Sequence, residues 1–143
     1  MIELEIVIWL SLGSAFGTLF VYLAERSAFT ERILGIGLIV ACCVYVFFGL
    51  LSGDVMWIFI ETSGLLLYSC FVLLGWKYKF SWLGIGWFLH HVWDYPLHLR
   101  WEGGDIAPDW YVLFCISFDV IVGLYIIIDL HRDNMDIDLL QKG

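Results

Sequence analysis

Ionisable side chains recur at helical spacing in one apolar segment of this chain. His90, Asp94 and His98 follow one another at intervals of four residues, and His91 adjoins the first of them. At about 100° per helical residue, Asp94 lies about 40° from His90, His98 about 80° and His91 about 100°. The spacing predicts a helix that carries three imidazoles and one carboxylate on a single face.

Two further carboxylates lie within apolar segments elsewhere, Glu61 in residues 55–76 and Asp119 in residues 110–130. Ionisable groups at membrane depth are costly and are usually functional. Imidazole and carboxylate are ligands of zinc and of non-haem iron, so a divalent metal site is the favoured interpretation. The predicted metal ligands are His90, Asp94, His98 and Asp119. Catalytic or supporting roles are predicted for Asp119, Glu61 and His91.

Two other interpretations of these residues stay open. Histidine beside a buried carboxylate can work as a metal-free acid/base pair or proton relay. The same groups can also form a polar network that only fixes helix packing. Haem is not expected, because paired axial histidines normally come from two helices and the fourth histidine, His131, belongs to the opposite end of the last helix.

The composition is that of an integral membrane protein. Of the 143 residues, 62% are hydrophobic and 15% are charged, against about 45–50% and 25% in soluble domains. At about 20 residues per crossing, the apolar runs predict an all-α bundle of five transmembrane helices. The predicted helices are 6–24, 33–51, 55–76, 80–98 and 110–130. Residues 1–130 would form one transmembrane domain, and 131–143 a short polar cytoplasmic tail.

The basic residues predict an orientation for such a bundle. Six of them fall on one side of the five crossings, and only Arg100 falls on the other. Because cytoplasmic loops are enriched in Lys and Arg, we expect the N-terminus outside and the C-terminus in the cytoplasm of a bacterial inner membrane. The first run, preceded by Glu3 and Glu5 rather than by basic residues, is expected to be a retained helix. Helix four would then end outside, so that the ionisable groups occupy the outer half of the bilayer.

The cysteines and one proline carry further expectations. Cys42, Cys43, Cys70 and Cys115 match no zinc-site spacing and are expected to be small buried hydrophobic residues. Pro96 removes a backbone hydrogen bond, so helix four is expected to kink or end there.

These residues also resemble a motif. The chain is similar to an uncharacterised family of small bacterial multi-pass membrane proteins that carries G-W-x-x-H-x-x-W-D-x-x-x-H, followed by a helix with C-x-x-x-D. The matching positions are Gly86, Trp87, His90, Trp93, Asp94, His98, Cys115 and Asp119. The resemblance spans about residues 84–120 and departs at Leu97 and His91. It implies a shared architecture and a shared site, without a reaction.

Three functions compete at the level of sequence. The first is a small membrane enzyme whose metal site acts on a lipidic or amphipathic substrate. The second is a proton or cation transporter or channel that uses the same groups, and the third is an accessory subunit of a membrane complex. The net charge of −8 gives no electrostatic footprint for nucleic acid. Membrane lipids and a homo-oligomer are the expected partners.

Overall fold

The computed structural model describes the backbone of residues 2–100 and 106–142 and the side chains of 3–100 and 106–129. It is all-α. The five helices are α1 (Ile2–Glu25), α2 (Thr30–Ser52), α3 (Val55–Lys77), α4 (Ser81–Leu99) and α5 (Asp109–Lys142).

The helix boundaries lie close to those expected from the apolar runs, because charged and glycine-containing breaks separate the runs. Between α2 and α3, Gly53 adopts a left-handed φ of 70°, which glycine tolerates without strain. Asp54 then caps α3 by accepting hydrogen bonds from the backbone N–H groups of Met56 at 2.8 Å and Trp57 at 3.3 Å. The turn therefore reverses the chain within two residues.

The last helix is longer than expected. It continues to Lys142 through the segment predicted to be a short tail, because 131–142 contains neither glycine nor proline to end it. The side chains of this extension lie outside the described residues. Pro96 does not end α4 either. The helix runs on to Leu99, and the N–H of Arg100 bonds to the carbonyl oxygen of Pro96.

Helix α4 packs against both α3 and α5, while α1 packs on α5 and α2 on α3. Gly13 permits the close approach of α1 to α5, since a Cβ at this position would overlap the carbonyl oxygen of Phe114 and the hydroxyl of Ser117. Gly17, four residues on, faces the carbonyl oxygen of Phe118. The G-x-x-x-G pair therefore works as a packing contact between two helix backbones.

The helices alternate in direction, so the bundle has two chemically different ends. At one, which we call the Trp-rich end, the rings of Trp9 and Trp110 lie 5.0 Å apart and that of Trp57 lies 5.7 Å from His98. These residues come from the starts of α1, α5 and α3 and from the end of α4.

The opposite end, which we call the basic end, carries the α1–α2 and α3–α4 connections. Arg26 and Arg32 flank the first connection, and Lys77 and Lys79 lie at the second. The indole of Trp76 joins the two by donating a hydrogen bond to the carbonyl oxygen of Glu31 at 3.0 Å.

Four of the helices are long and apolar enough to cross a membrane within the described part of the chain. They are α1, α2, α3 and the Asp109–Asp129 part of α5. Helix α4 has 19 residues, but its histidines and Asp94 lower its mean hydropathy.

The prediction that all four cysteines are buried is corrected in part. Cys42 and Cys115 are buried as expected, whereas Cys43 and Cys70 are exposed. These helices are apolar on their outer faces as well as on their inner faces, so an apolar position in the sequence does not imply a buried one.

Candidate metal centre

The buried face of α4 carries the ionisable residues. His90, Asp94 and His98 are each no more than 2% exposed, and they recur at every fourth position, so the helix periodicity aligns them. Residues that flank or separate them, such as Leu89 and Val92, are exposed. From His90 to its end, the helix is therefore polar on the side that faces its neighbours and apolar on the side that faces outward.

One group forms where α4 meets α5. The Nδ1 atom of His90 lies 2.7 Å from Oδ2 of Asp119 and 3.5 Å from Oδ2 of Asp94. Ligand atoms of the three residues all lie within 4.8 Å of one another, and all three residues are buried. We call this group the His90 cluster. Its donor set is one imidazole and two carboxylates.

Several oxygens of the His90 cluster have unused bonding capacity. Both carboxylate oxygens of Asp94 and Oδ1 of Asp119 are buried and have no hydrogen-bond partner among the described residues. A buried polar atom without a partner costs about 1–3 kcal/mol, and more when it is charged. The cluster is therefore underbonded in a way that a cation would relieve.

The spacing of the His90 cluster fits a small metal ion. Two ligand atoms of a tetrahedral zinc ion, each about 2.0–2.1 Å from it, lie about 3.3 Å apart. The two distances from His90 Nδ1, 2.7 Å and 3.5 Å, fall on either side of that value. A zinc ion would require Nδ1 of His90 and Oδ2 of Asp119 to separate by about 0.6 Å. With a proton on Nδ1 instead, the same atoms make a hydrogen-bonded acid/base pair between His90 and Asp119.

A second pair forms where α4 meets α3. Nε2 of His98 lies 3.2 Å from Oε1 of Glu61, with both side chains buried. Two of the predicted ligands, His90 and His98, thus face different carboxylates. The structure brings His90, Asp94 and Asp119 together, and it places His98 with Glu61 beside them rather than in the same ligand group.

Tyr45 of α2 connects the two groups, and sequence reasoning missed it. Its ring stacks on His98 with centroids 4.7 Å apart and meets the edge of His90 at 5.8 Å. Its buried hydroxyl lies beside Asp94 without a hydrogen bond of ordinary geometry. The sequence feature that could have indicated it is a tyrosine hydroxyl in an otherwise apolar helix, three residues after Cys42 and therefore on the same helix face.

Cys42 and Tyr68 complete the surroundings of His90. The Cys42 thiol lies within interaction distance of the imidazole, and the ring of Tyr68 meets that imidazole edge-on at 5.0 Å. The Tyr68 hydroxyl donates a hydrogen bond to the carbonyl oxygen of Leu89 at 3.0 Å, which ties α3 to α4 at this depth. Three helices thereby hold the imidazole plane in place.

His91, the remaining predicted residue, lies at the margin of the site. It is half-buried, and its ring packs edge-on against Phe88 with centroids 5.8 Å apart. It is outside the group of converging ligand atoms, so the prediction that His91 shares the ionisable face is corrected: at about 100° from His90 its side chain falls at the edge of that face.

No family model, curated protein or solved structure matches the chain. The resemblance to a family of small bacterial membrane proteins therefore stays a prediction.

Proposed function

We propose that the protein is a small integral membrane enzyme that holds a divalent metal in the His90 cluster and acts on a lipidic or amphipathic substrate. The observation that carries the proposal is the convergence of two buried carboxylates on one imidazole. Two anions in a low-dielectric interior are costly when uncompensated. A dication would neutralise both and bond to their free oxygens.

The proposal includes α4 as a fifth crossing. Its outward residues Ile85, Leu89 and Val92 are apolar and between 39% and 55% exposed. Since its polar residues face other helices, lipid would contact only the apolar side. Buried, mutually paired ionisable residues of this kind are the form in which membrane spans tolerate charge.

The basic end is proposed to face the cytoplasm of a bacterial inner membrane, and the Trp-rich end the outside. The basic connections support this orientation by the positive-inside rule, and the tryptophans of the other end fit an aromatic belt at a membrane interface. His90 lies nine residues before the end of α4 and Asp119 ten residues after the start of α5. A rise of about 1.5 Å per residue puts both about 14–15 Å from the outer helix ends. Asp94 and Glu61 lie about 8–9 Å deep by the same measure.

Zinc is the metal that we propose. The non-haem iron triad uses two imidazoles and one carboxylate, whereas the second imidazole here, His98, pairs with Glu61. Zinc accepts imidazole and carboxylate ligands, and its catalytic sites keep a position for water or substrate beside three protein ligands. When bound, it would activate that water or polarise a substrate carbonyl or phosphoryl group, which suits hydrolysis. Glu61 and His98 would supply an acid/base pair next to the reacting group.

Elemental analysis of the purified protein tests this function. Stoichiometric zinc is expected in the wild type, and its loss in His90→Ala and in Asp94→Ala. Glu61→Gln is the matched control, because it changes a buried carboxylate outside the His90 cluster and should retain the metal. Folded wild-type protein that binds no divalent metal on titration, or equal loss in all three variants, would refute the metal centre.

One observation favours proton transport as a second candidate. Six neighbouring polar side chains follow one another across the bundle, in the order Asp119, His90, Asp94, Tyr45, His98 and Glu61. The run stops toward the basic end, where Leu34, Leu83 and Trp87 fill the interior and are 0% exposed. Liposomes that carry the protein would show proton flux under an imposed gradient if transport is its function, and none if the site is enzymatic.

A further inference from the structure

A groove of about 460 Å³ lies between α3 and α4 on the outward surface of the bundle. Its walls are almost wholly apolar and include Ile60, Leu67, Leu89, Val92 and Leu97. Ligand sites commonly measure about 300–1,000 Å³. In a bilayer this groove opens directly to the acyl chains, so its contents come from the membrane.

A narrow cleft lies behind the groove and reaches the polar centre. Cys42, Glu61 and His90 line this cleft, which is too narrow to admit a water-sized molecule. Tyr68 and Trp93 line both the groove and the cleft. These two side chains are therefore the wall that separates the apolar groove from the ionisable residues.

The two wall residues are held differently. The hydroxyl of Tyr68 is bonded to the carbonyl oxygen of Leu89, so its ring is fixed to α4. The indole of Trp93 packs over Gly64, where a Cβ would lie 3.4–3.5 Å from the ring. Its buried Nε1 has no hydrogen-bond partner among the described residues. Only packing holds Trp93 closed, and the missing side chain at Gly64 is what gives the indole its place.

We propose that the groove seats one acyl chain of a membrane lipid and that Trp93 is the gate through which the polar group of that lipid reaches the His90 cluster. The assignment rests on the function proposed above and names its substrate class and route. An amphiphile matches the site because the apolar groove and the polar cleft adjoin across a single side chain. Rotation of the indole would join them and offer its N–H to the incoming polar group.

Alkylation of Cys42 by N-ethylmaleimide tests the gate. The exposed thiols of Cys43 and Cys70 are first replaced by serine, which leaves Cys42 in the cleft and Cys115 as an equally inaccessible thiol outside it. Trp93→Ala is expected to raise the labelling rate of Cys42 by about tenfold or more, since the rate tracks local opening. The rate of Cys115 should not change, and Trp93→Leu should give an intermediate rate at Cys42.

Trp82→Ala serves as the control, because Trp82 is a partly exposed tryptophan of the same helix that lines neither the groove nor the cleft. An unchanged Cys42 rate in Trp93→Ala would refute the gate. An equal rise at Cys115 would refute it too, because it would mean that the whole bundle had loosened.

Photocrosslinking tests the occupant of the groove. Phosphatidylcholine with a diazirine in one acyl tail is expected to label the groove residues of α3 and α4 in preference to the outward face of α2. Val92→Trp, which fills the groove, should abolish that preference. Val40→Trp is the matched control, since both valines are 55% exposed but Val40 lies on α2. Equal labelling of both faces, or labelling of the groove that Val92→Trp leaves unchanged, would overturn the lipid assignment.

Zinc content separates the two proposals. The Trp93 and Val92 variants leave every ligand of the His90 cluster intact and should retain the metal. If gate and crosslinking behave as expected in a protein without metal, the metal centre fails and the lipid route stands. If zinc is bound but the labelling results are negative, the lipid route fails and the metal centre stands.

Discussion

Toward the basic end, the residues between the helices are aliphatic or aromatic, as Leu34, Leu83 and Trp87 illustrate, whereas toward the Trp-rich end they include five buried ionisable side chains. The two halves share the same helices, so the contrast does not arise from fold class. A bundle of this size can be packed by apolar residues alone, as its basic half demonstrates. Buried charges rarely stabilise a protein more than apolar residues of similar volume do. The ionisable residues of the polar half are therefore better explained by a function than by a contribution to stability.

The largest expected effect comes from breaking the apolar half. Trp87 is 0% exposed and packs against Phe20 and Phe118. Trp87→Ala should lower the free energy of unfolding by about 3–5 kcal/mol, because it removes a large buried ring and leaves a cavity. Reversible denaturation in mixed micelles would measure the change.

Trp82→Ala on the same helix is the control for that measurement. Trp82 is 38% exposed, so its removal should have a clearly smaller effect. Equal losses for the two tryptophans would mean that the apolar half does not carry the stability assigned to it.

A smaller effect should distinguish the two carboxylates of the His90 cluster in metal-free protein. Asp119 makes the 2.7 Å contact with His90, and Asp94 lies 3.5 Å away. Asp119→Asn should lower the free energy of unfolding by about 1.5–3 kcal/mol through loss of a charge-assisted hydrogen bond. Asp94→Asn should not lower it, because it removes the surplus negative charge and leaves His90 and Asp119 paired. The same denaturation assay with a chelator present tests this, and the opposite ranking would contradict it.

The smallest expected effect concerns Tyr45. Tyr45→Phe keeps the ring stack on His98 but removes the hydroxyl beside Asp94. Groups that orient metal ligands typically contribute about 10–100-fold in affinity, so zinc affinity should fall by about tenfold, or about 1.4 kcal/mol. Competition with a chromophoric chelator would measure it. Tyr111→Phe, a change in a neighbouring tyrosine, should leave the affinity within about twofold if the Tyr45 hydroxyl acts specifically.

The sequence was sufficient for four of the helices, for the start of the fifth and for the level of the site along the bundle. Apolar runs end at charged breaks, and alternating helix directions put Glu61, His90 and Asp119 at neighbouring levels without any knowledge of packing. The partners of each group were not predictable, because they depend on how each helix is rotated about its axis. Contacts such as Gly13 on Phe114 and Gly84 on Ile126 set those rotations. The pairing of His98 with Glu61 and the position of Tyr45 follow from them.

Helix α4 turns its polar residues toward other helices and its apolar residues outward, and this has a consequence for biogenesis. A segment with three histidines, one aspartate and one proline does not partition into hydrocarbon by itself as readily as its four companions do. If α4 crosses the membrane as proposed, it needs α3 and α5 to shield its polar side. Its release from the translocon would then be coupled to tertiary association, and a chain whose neighbouring helices mispack would lose both its topology and its metal centre in the same event.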